Sequence, residues 1–176
     1  DHVLPQPGEL DQTDRAVLYP IARSFEPVGT EINACHFRSA LASVMALARE
    51  ANKYIDVTAP WSSLKTDRVR TATTLYVALR AIDSLKILFT PFLPFTCNQL
   101  HAMLGYSGDL LGEHSVEEYL EQSGSHTGLT YDRSLIAAHW QPSDLKAGQP
   151  LGSIAPLFKK LDEKIVEEER ARITPK

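Results

Sequence analysis

Apolar residues recur at steps of three and four through residues 1–106, which is the spacing of amphipathic helices. The longest such stretch begins near Phe37, and charged residues such as Arg49 and Lys53 occupy its other faces. Its apolar positions form one seam, made of Phe37, Leu41, Val44, Ala48, Ala51 and Ile55. The pattern predicts a long helix that buries this seam and ends at or just before Ala59, because Pro60 disfavours a helical conformation at the residue before it.

Shorter stretches with the same spacing lie on both sides of this helix. Upstream, Asp11 or Thr13 is a candidate N-cap, and Pro20 and Pro27 interrupt or kink the element. Downstream, Asp67 is a candidate N-cap for a second long helix. That helix is traced by Val69, Ala72, Leu75, Tyr76, Leu79, Ile82 and Lys86.

A further helix is expected after an apolar stretch that Pro91 and Pro94 break. It starts near Thr96 and ends at Gly105, since glycine commonly ends a helix. Helices joined by short links pack antiparallel. The predicted fold class is therefore mainly α, an antiparallel helix bundle with its core in residues 1–106.

The composition of the sequence changes after residue 106, where glycines become frequent. We expect an irregular segment over 107–156, with a short helix at Val116–Gln122 and weak strand candidates at Leu129–Tyr131 and Ala137–Trp140. A final helix is expected at Phe158–Arg172, within a carboxy-terminal part that covers 157–176. The whole chain reads as one domain.

Bulk composition narrows the classes of function. The chain has 176 residues, of which 43% are hydrophobic and 23% charged, as in a globular domain. Its net charge of −4 argues against a general polyanion binder, so DNA is not expected as a partner, but stacking can still recognise RNA. No apolar run is long enough to span a bilayer, so no membrane association is expected, and two cysteines fit a reducing, cytoplasmic setting. The first residue is Asp rather than Met, so we expect a piece of a longer protein.

The end of the long helix carries the most informative residues. Trp61 follows Pro60 where the chain leaves the helix, so its indole is expected to be exposed and to offer a flat face to an unpaired base. Asn52 and Asp56 lie one turn apart on one edge of that helix. The alternative, the commoner use of an aromatic residue, is that Trp61 is a core plug that closes a helix pair.

Three basic residues follow the tryptophan closely. Lys65, Arg68 and Arg70 form a modest patch suited to phosphate contacts. The alternative is that they are ordinary solvated charges.

Catalytic chemistry is missing from the sequence. It contains neither a glycine-rich phosphate loop nor a Gly-x-Ser-x-Gly elbow, and no pair of carboxylates at a cleft-like position, so no catalytic residue is predicted. Two oppositely charged pairs, Asp83 with Lys86 and Asp132 with Arg133, are predicted to be surface charges. A zinc site made of Cys35, His36, Cys97 and His101 is disfavoured, because the neighbours Cys35 and His36 point apart. We instead expect both cysteines in the core, His101 at the surface and no metal.

Several short stretches together carry a resemblance to a known family. They are Ala51-Asn52-Lys53-Tyr54, Ala59-Pro60-Trp61, Leu79-Arg80-Ala81-Ile82, Pro91-Phe92-Leu93-Pro94 and Pro156-Leu157-Phe158. In this order they resemble the carboxy-terminal anticodon-binding domain of bacterial methionyl-tRNA synthetase, over most of the chain.

The resemblance implies a role for each residue of the corner. Trp61 would stack on the wobble cytosine of the methionine anticodon, Pro60 would fix the bent chain, Asp56 would lie near the same base, and Asn52 would lie on its helix edge. In the family, an asparagine and an arginine on an earlier helix also read the cytosine. That helix would precede Asp1.

The resemblance also implies what this chain lacks. The catalytic half of such an enzyme is a nucleotide-binding fold with His-Ile-Gly-His-like and Lys-Met-Ser-Lys-Ser-like signatures, and neither occurs here. ATP, methionine and a zinc knuckle belong to that half, so no cofactor is expected here. The expected partners are the anticodon loop of methionine tRNA and the catalytic domain of the same protein, toward which the last helix would pack.

Three hypotheses remain open at this point. The first is an anticodon-recognition module of an aminoacyl-tRNA ligase, not catalytic by itself. The second is a synthetase-derived helical scaffold or interaction domain without tRNA binding. The third is an independent enzyme, which the absent motifs make the weakest.

Overall fold

The computed structural model describes residues 3–132, 134, 136, 139–158 and 163–173. Its elements in chain order are α1 (Gln12–Arg23), α2 (Phe25–Asn33), α3 (Phe37–Thr58), α4 (Pro60–Ser63), α5 (Arg68–Phe89), α6 (Pro94–Met103), β1 (Glu113–Glu121), β2 (Gly124–Asp132) and α7 (Glu163–Ile173). The predicted mainly α class is confirmed. No helix in the described part of the chain is both long and apolar enough to cross a membrane.

Local signals set the helix boundaries where the sequence predicted them. Asp11 caps α1 in a reciprocal box with Asp14, in which each side chain accepts a hydrogen bond from the other residue's backbone N–H. Asp67 caps α5 by accepting from the backbone N–H of Arg70 at 2.9 Å. The upstream element is divided into two helices, but at Ser24 rather than at either predicted proline, because Pro20 lies within α1 and Pro27 lies in the first turn of α2.

The main core lies between α1, α2, α3 and α5. Its fully buried apolar residues are Val17, Ile21, Phe25, Val28, Ala40, Val44, Tyr54, Val77, Ala81, Leu85 and Leu88. The predicted seam of α3 is only partly buried. Val44 lies in the core and Ala48, Ala51 and Ile55 pack against it, but Phe37 and Leu41 are 52% and 36% exposed.

The face of α5 that packs in the core is not the predicted one. Val69, Leu75 and Ile82 are exposed, and the buried face instead contains threonine and serine beside its apolar residues. The hydroxyls of Thr71, Thr73 and Ser84 bond back to carbonyls one turn earlier, as Thr71 does to Asp67 at 3.0 Å, whereas the buried Thr74 hydroxyl makes no such bond. Such bonds allow a short polar side chain to enter a core without an unpaired donor.

The second half of the chain contains a hairpin. β1 and β2 pair antiparallel, with Val116 opposite Leu129 and Glu121 opposite Gly124. The prediction of a helix at Val116–Gln122 was wrong, because this stretch is strand and the turn at its end. The strand candidate Leu129–Tyr131 is confirmed within β2. Of the candidate Ala137–Trp140, residues 137 and 138 lie outside the described residues, and residues 139 and 140 are not in a strand.

Residues 139–152 pack across the bundle rather than away from it. The indole N–H of Trp140 donates to the carbonyl of Phe25 at 2.9 Å, and the backbone N–H of Ser143 donates to Ser84 Oγ at 2.9 Å. Leu145 is buried in a second small core with Leu4 and Leu104. The final helix is confirmed in part: α7 begins at Glu163, Phe158 is outside it, and residues 159–162 are not described.

A buried polar cluster joins α5, α6 and this segment, where the sequence had placed surface charge. Lys86 Nζ lies 2.6 Å from Asp83 Oδ1 and 3.0 Å from His101 Nδ1. The Tyr106 hydroxyl donates to Asp83 and Asp144 at 2.8 and 2.9 Å, and its ring stacks on His101. The predictions of a solvated Asp83–Lys86 pair and a surface His101 were therefore wrong. Asp83 and Lys86 are buried as a pair, which is the condition under which a protein interior tolerates charges, while Asp144 closes the cluster from the surface.

Candidate functional site

The corner that ends α3 is built by three consecutive residues. The helix ends at Thr58, as predicted, and Ala59 takes a left-handed conformation with φ 39° and ψ 63°. Pro60 then opens the short helix α4, where a proline costs no backbone hydrogen bond. The backbone N–H of Ser62 donates to the carbonyl of Ala59 at 2.8 Å, which closes the turn.

Trp61 projects from this corner with 62% of its surface exposed. The prediction of an exposed indole is confirmed, and the alternative of a core plug is wrong. Pro60, in contrast, is buried, so the corner itself is anchored in the bundle. The result is a flat aromatic face held by a fixed backbone.

The polar residues predicted to accompany the indole are also at the surface. Asn52 and Asp56 are exposed and follow one another by a turn along the last part of α3, which leads into the corner. Their amide and carboxylate are therefore accessible to solvent and to a ligand.

The three basic residues have two different environments. Lys65 and Arg68 are exposed, and no internal role is evident for either. Arg70 is partly buried, and its guanidinium donates to both oxygens of Asp14, at 2.8 and 2.5 Å. We therefore assign Arg70 to the interior of the corner and keep only Lys65 and Arg68 as candidates for phosphate contacts.

Beneath the corner lies a polar group that the sequence did not reveal, made of Asp14, Tyr54 and Arg70. The Tyr54 hydroxyl donates to Asp14 Oδ1 at 2.6 Å, and Asp14 is fully buried. Burial alone would raise the pKa of the Asp14 carboxyl, but the bonds from Arg70 and Tyr54 outweigh it and lower that pKa. Burial and the neighbouring Asp14 raise the pKa of Tyr54. In the sequence, Asp14 looks only like a favourable charge in a helix's first turn.

The cysteine and histidine residues considered for zinc do not come together. Cys97 is buried, as predicted, whereas Cys35 is exposed, so the prediction of a core Cys35 was wrong. Cys35 lies in the turn between α2 and α3, outside the helix faces that pack in the core, and has a φ of 59°. Within the residues that the structure describes, no three His, Cys, Asp or Glu side chains are grouped to hold a metal ion.

Ala59→Gly should stabilise the protein by up to about 1 kcal/mol, because the left-handed conformation strains any residue with a Cβ and glycine adopts it freely. Chemical denaturation of wild type and variant would measure the difference in the free energy of unfolding. Ala46→Gly, at an exposed position within α3, is the matched control and should destabilise by about the same amount. A loss of stability in Ala59→Gly would show that the corner is not strained at this residue.

Comparison with known proteins agrees with this geometry. The family described as the anticodon binding domain of methionyl tRNA ligase matches residues 4–137. A methionine–tRNA ligase of Chloroflexus aggregans is 46% identical over 97% of this chain and 28% of its own length, and one of Thermomicrobium roseum is 45% identical over 97% of this chain and 29% of its own. The chain thus spans less than a third of these relatives.

Solved structures show the same fold. The free-state methionyl-tRNA synthetase of Mycobacterium tuberculosis aligns with a TM-score of 0.68 at 22% identity, covering 92% of this chain and 28% of that one. A structure of the same enzyme bound by methionyl-adenylate aligns with a TM-score of 0.65. The family match, the relatives and the bundle itself together show that this chain belongs to the family of methionyl-tRNA ligase anticodon-binding domains.

Proposed function

We propose that this domain recognises the anticodon of methionine tRNA, with Trp61 as the platform on which the wobble cytosine stacks. The observation that carries the proposal is the exposed indole at a corner whose neighbouring proline is buried. An aromatic ring held in this way binds an unpaired base without needing a strongly basic surface. This fits a chain with a net charge of −4.

The surrounding residues have distinct proposed roles. Pro60 fixes the bend, while Asp56 and Asn52 supply polar atoms near the stacked base. Lys65 and Arg68 follow in the chain and contact the phosphates of the anticodon loop. The exposure of all four polar side chains supports these roles.

The domain serves a larger enzyme in this proposal. That enzyme attaches methionine to its tRNA using ATP in the cytoplasm, and a catalytic part outside this chain binds ATP, methionine and zinc. The relatives are named methionine–tRNA ligases, and this chain corresponds to less than a third of their length. The catalytic part of the same protein is therefore the second proposed partner.

Trp61→Ala in the full-length protein should weaken binding of methionine tRNA by roughly 1–3 kcal/mol, the usual contribution of one base–aromatic stack. Binding would be measured by titration with anticodon stem-loops that differ only at the wobble base. Trp61→Phe should keep part of the affinity because it retains an aromatic face.

Leu64→Ala is the matched control, since Leu64 is also a large exposed apolar residue just after the corner. It should leave the affinity and the preference for cytosine unchanged. Unchanged binding by Trp61→Ala would reject the stacking role. If the intact protein bound no stem-loop at all, the competing scaffold hypothesis would be favoured.

A further inference from the structure

Three helices are tied together by one buried carboxylate below the corner. Asp14 comes from α1, Tyr54 from α3 and Arg70 from α5. Both Asp14 oxygens accept hydrogen bonds from Arg70, and one of them also accepts from Tyr54. Asp11 adds a second carboxylate at 3.2 Å from Arg70 Nη1.

The chain segments that lead into and out of the Trp61 corner are each held by a further side-chain hydrogen bond. On the incoming side, Thr58 Oγ1 donates to the carbonyl of Tyr54 at 2.7 Å, one turn before the helix ends. On the outgoing side, the Ser63 and Thr71 hydroxyls are bonded at 2.7 Å, which ties α4 to the first turns of α5. The chain from Tyr54 to Arg70 is thus a loop whose two ends are joined through Asp14.

The group does not read RNA itself. Asp14 has no exposed surface, and the terminal nitrogens of Arg70 face Asp11, Asp14 and Tyr54. These residues can therefore affect a ligand only by setting the position of the loop that they close. Trp61 is the most exposed large aromatic residue of that loop.

We infer that Asp14, Tyr54 and Arg70 form a clamp that sets the position of Trp61 and thereby the selectivity for the wobble base. This inference rests on the proposed function of Trp61. In it, Tyr54 and Arg70 are positioning residues rather than RNA contacts. A guanidinium is suited to this because its planar fork fixes a carboxylate through two bonds at once.

The test compares two chemically identical changes in the full-length protein. Tyr54→Phe removes one hydroxyl that donates to a buried carboxylate in the clamp. Tyr106→Phe removes one hydroxyl that donates to Asp83 and Asp144, in the polar cluster around His101. The protein is labelled with 5-fluorotryptophan, and the ¹⁹F resonance of Trp61 is assigned by its loss in Trp61→Phe.

Tyr54→Phe should shift or broaden the Trp61 resonance and reduce the preference for a cytosine over a uracil stem-loop by about 2- to 30-fold, the range seen for coupling through a packed network. Tyr106→Phe should change neither. Arg70→Lys keeps the charge but loses the fork, and it should act as Tyr54→Phe does. Melting curves of the variants confirm that each is folded during the measurement.

The alternative results separate failure of the clamp from failure of the proposed function. If the resonance and the preference stay unchanged in both clamp variants while Trp61→Ala still weakens binding, the clamp is rejected and the proposed function stands. If Tyr106→Phe has an equal effect, the cause is general loosening and the clamp is again rejected. If the resonance moves but Trp61→Ala does not affect binding, the proposed function itself is rejected, and the role of the clamp in reading falls with it.

Discussion

Leu88→Ala should lower the free energy of unfolding by about 2–5 kcal/mol, whereas Leu41→Ala should lower it by only about 1–2 kcal/mol. Leu88 has no exposed surface and lies in the main core, so its truncation leaves a cavity among close-packed side chains. Leu41 is 36% exposed on α3, so its truncation opens to solvent rather than leaving an enclosed cavity and removes less buried area than that of Leu88. Urea unfolding of the two variants and the wild type, analysed with a common slope, measures both losses.

This ranking differs from the one that hydrophobic spacing alone gives, because Leu41 belongs to the predicted seam of α3. Equal losses in the two variants would mean that the seam is buried along its whole length. Trp61→Ala provides a further comparison and should resemble Leu41→Ala, since the indole is largely exposed. A large loss of stability for Trp61→Ala would contradict its placement outside the core.

The corner was predictable because its determinants are local. A proline restricts the conformation of the residue before it and cannot donate a hydrogen bond, so Pro60 alone fixes where α3 ends. An aromatic residue directly after such an end has few neighbours to pack against. The position of Asn52 and Asp56 on one edge follows in the same way from the helical repeat.

The packing face of α5 was not predictable from apolar spacing. Two apolar lines run along this helix, one through Leu75 and Ile82 and one through Val77 and Leu88. Only the second is in the core, and the buried Thr71, Thr73 and Ser84 beside it bond back to carbonyls one turn earlier. In the sequence these residues count as polar, and only the structure shows that their hydroxyls are hydrogen-bonded to the backbone.

The hairpin depends on the pairing of two neighbouring strands, and the two polar groups depend on partners in other elements of the fold. Glu-rich residues 113–121 have no strong local preference for a strand, and β1 exists because β2 pairs with it after a two-residue turn. Asp14 meets Arg70 across 56 positions of the chain. A charged residue that pairs at such a distance looks, in the sequence, like any other surface charge.

The polar cluster around His101 should make the protein lose stability as the pH falls from about 6.5 toward 4. Burial and the adjacent Lys86 ammonium lower the pKa of His101 to about 4, against the opposing effect of Asp83, Asp109 and Asp144. Between these values the unfolded chain binds a proton at this histidine and the folded chain does not. Stability is therefore complete above the ordinary pKa of 6.5 and is lost on acidification. A shift of this size corresponds to about 3 kcal/mol.

The contribution of His101 can be isolated with His101→Asn, whose side-chain oxygen can still accept the bond from Lys86 but does not titrate. Urea unfolding at pH 7.5 and pH 4.5 gives the loss of stability for each protein. Carboxylates such as Asp14 contribute to both losses, so the difference between the two proteins belongs to His101. We expect the wild type to lose about 2–3 kcal/mol more than the variant. Equal losses would mean that His101 reaches solvent when it is protonated, and that the buried cluster opens in weak acid before the domain unfolds.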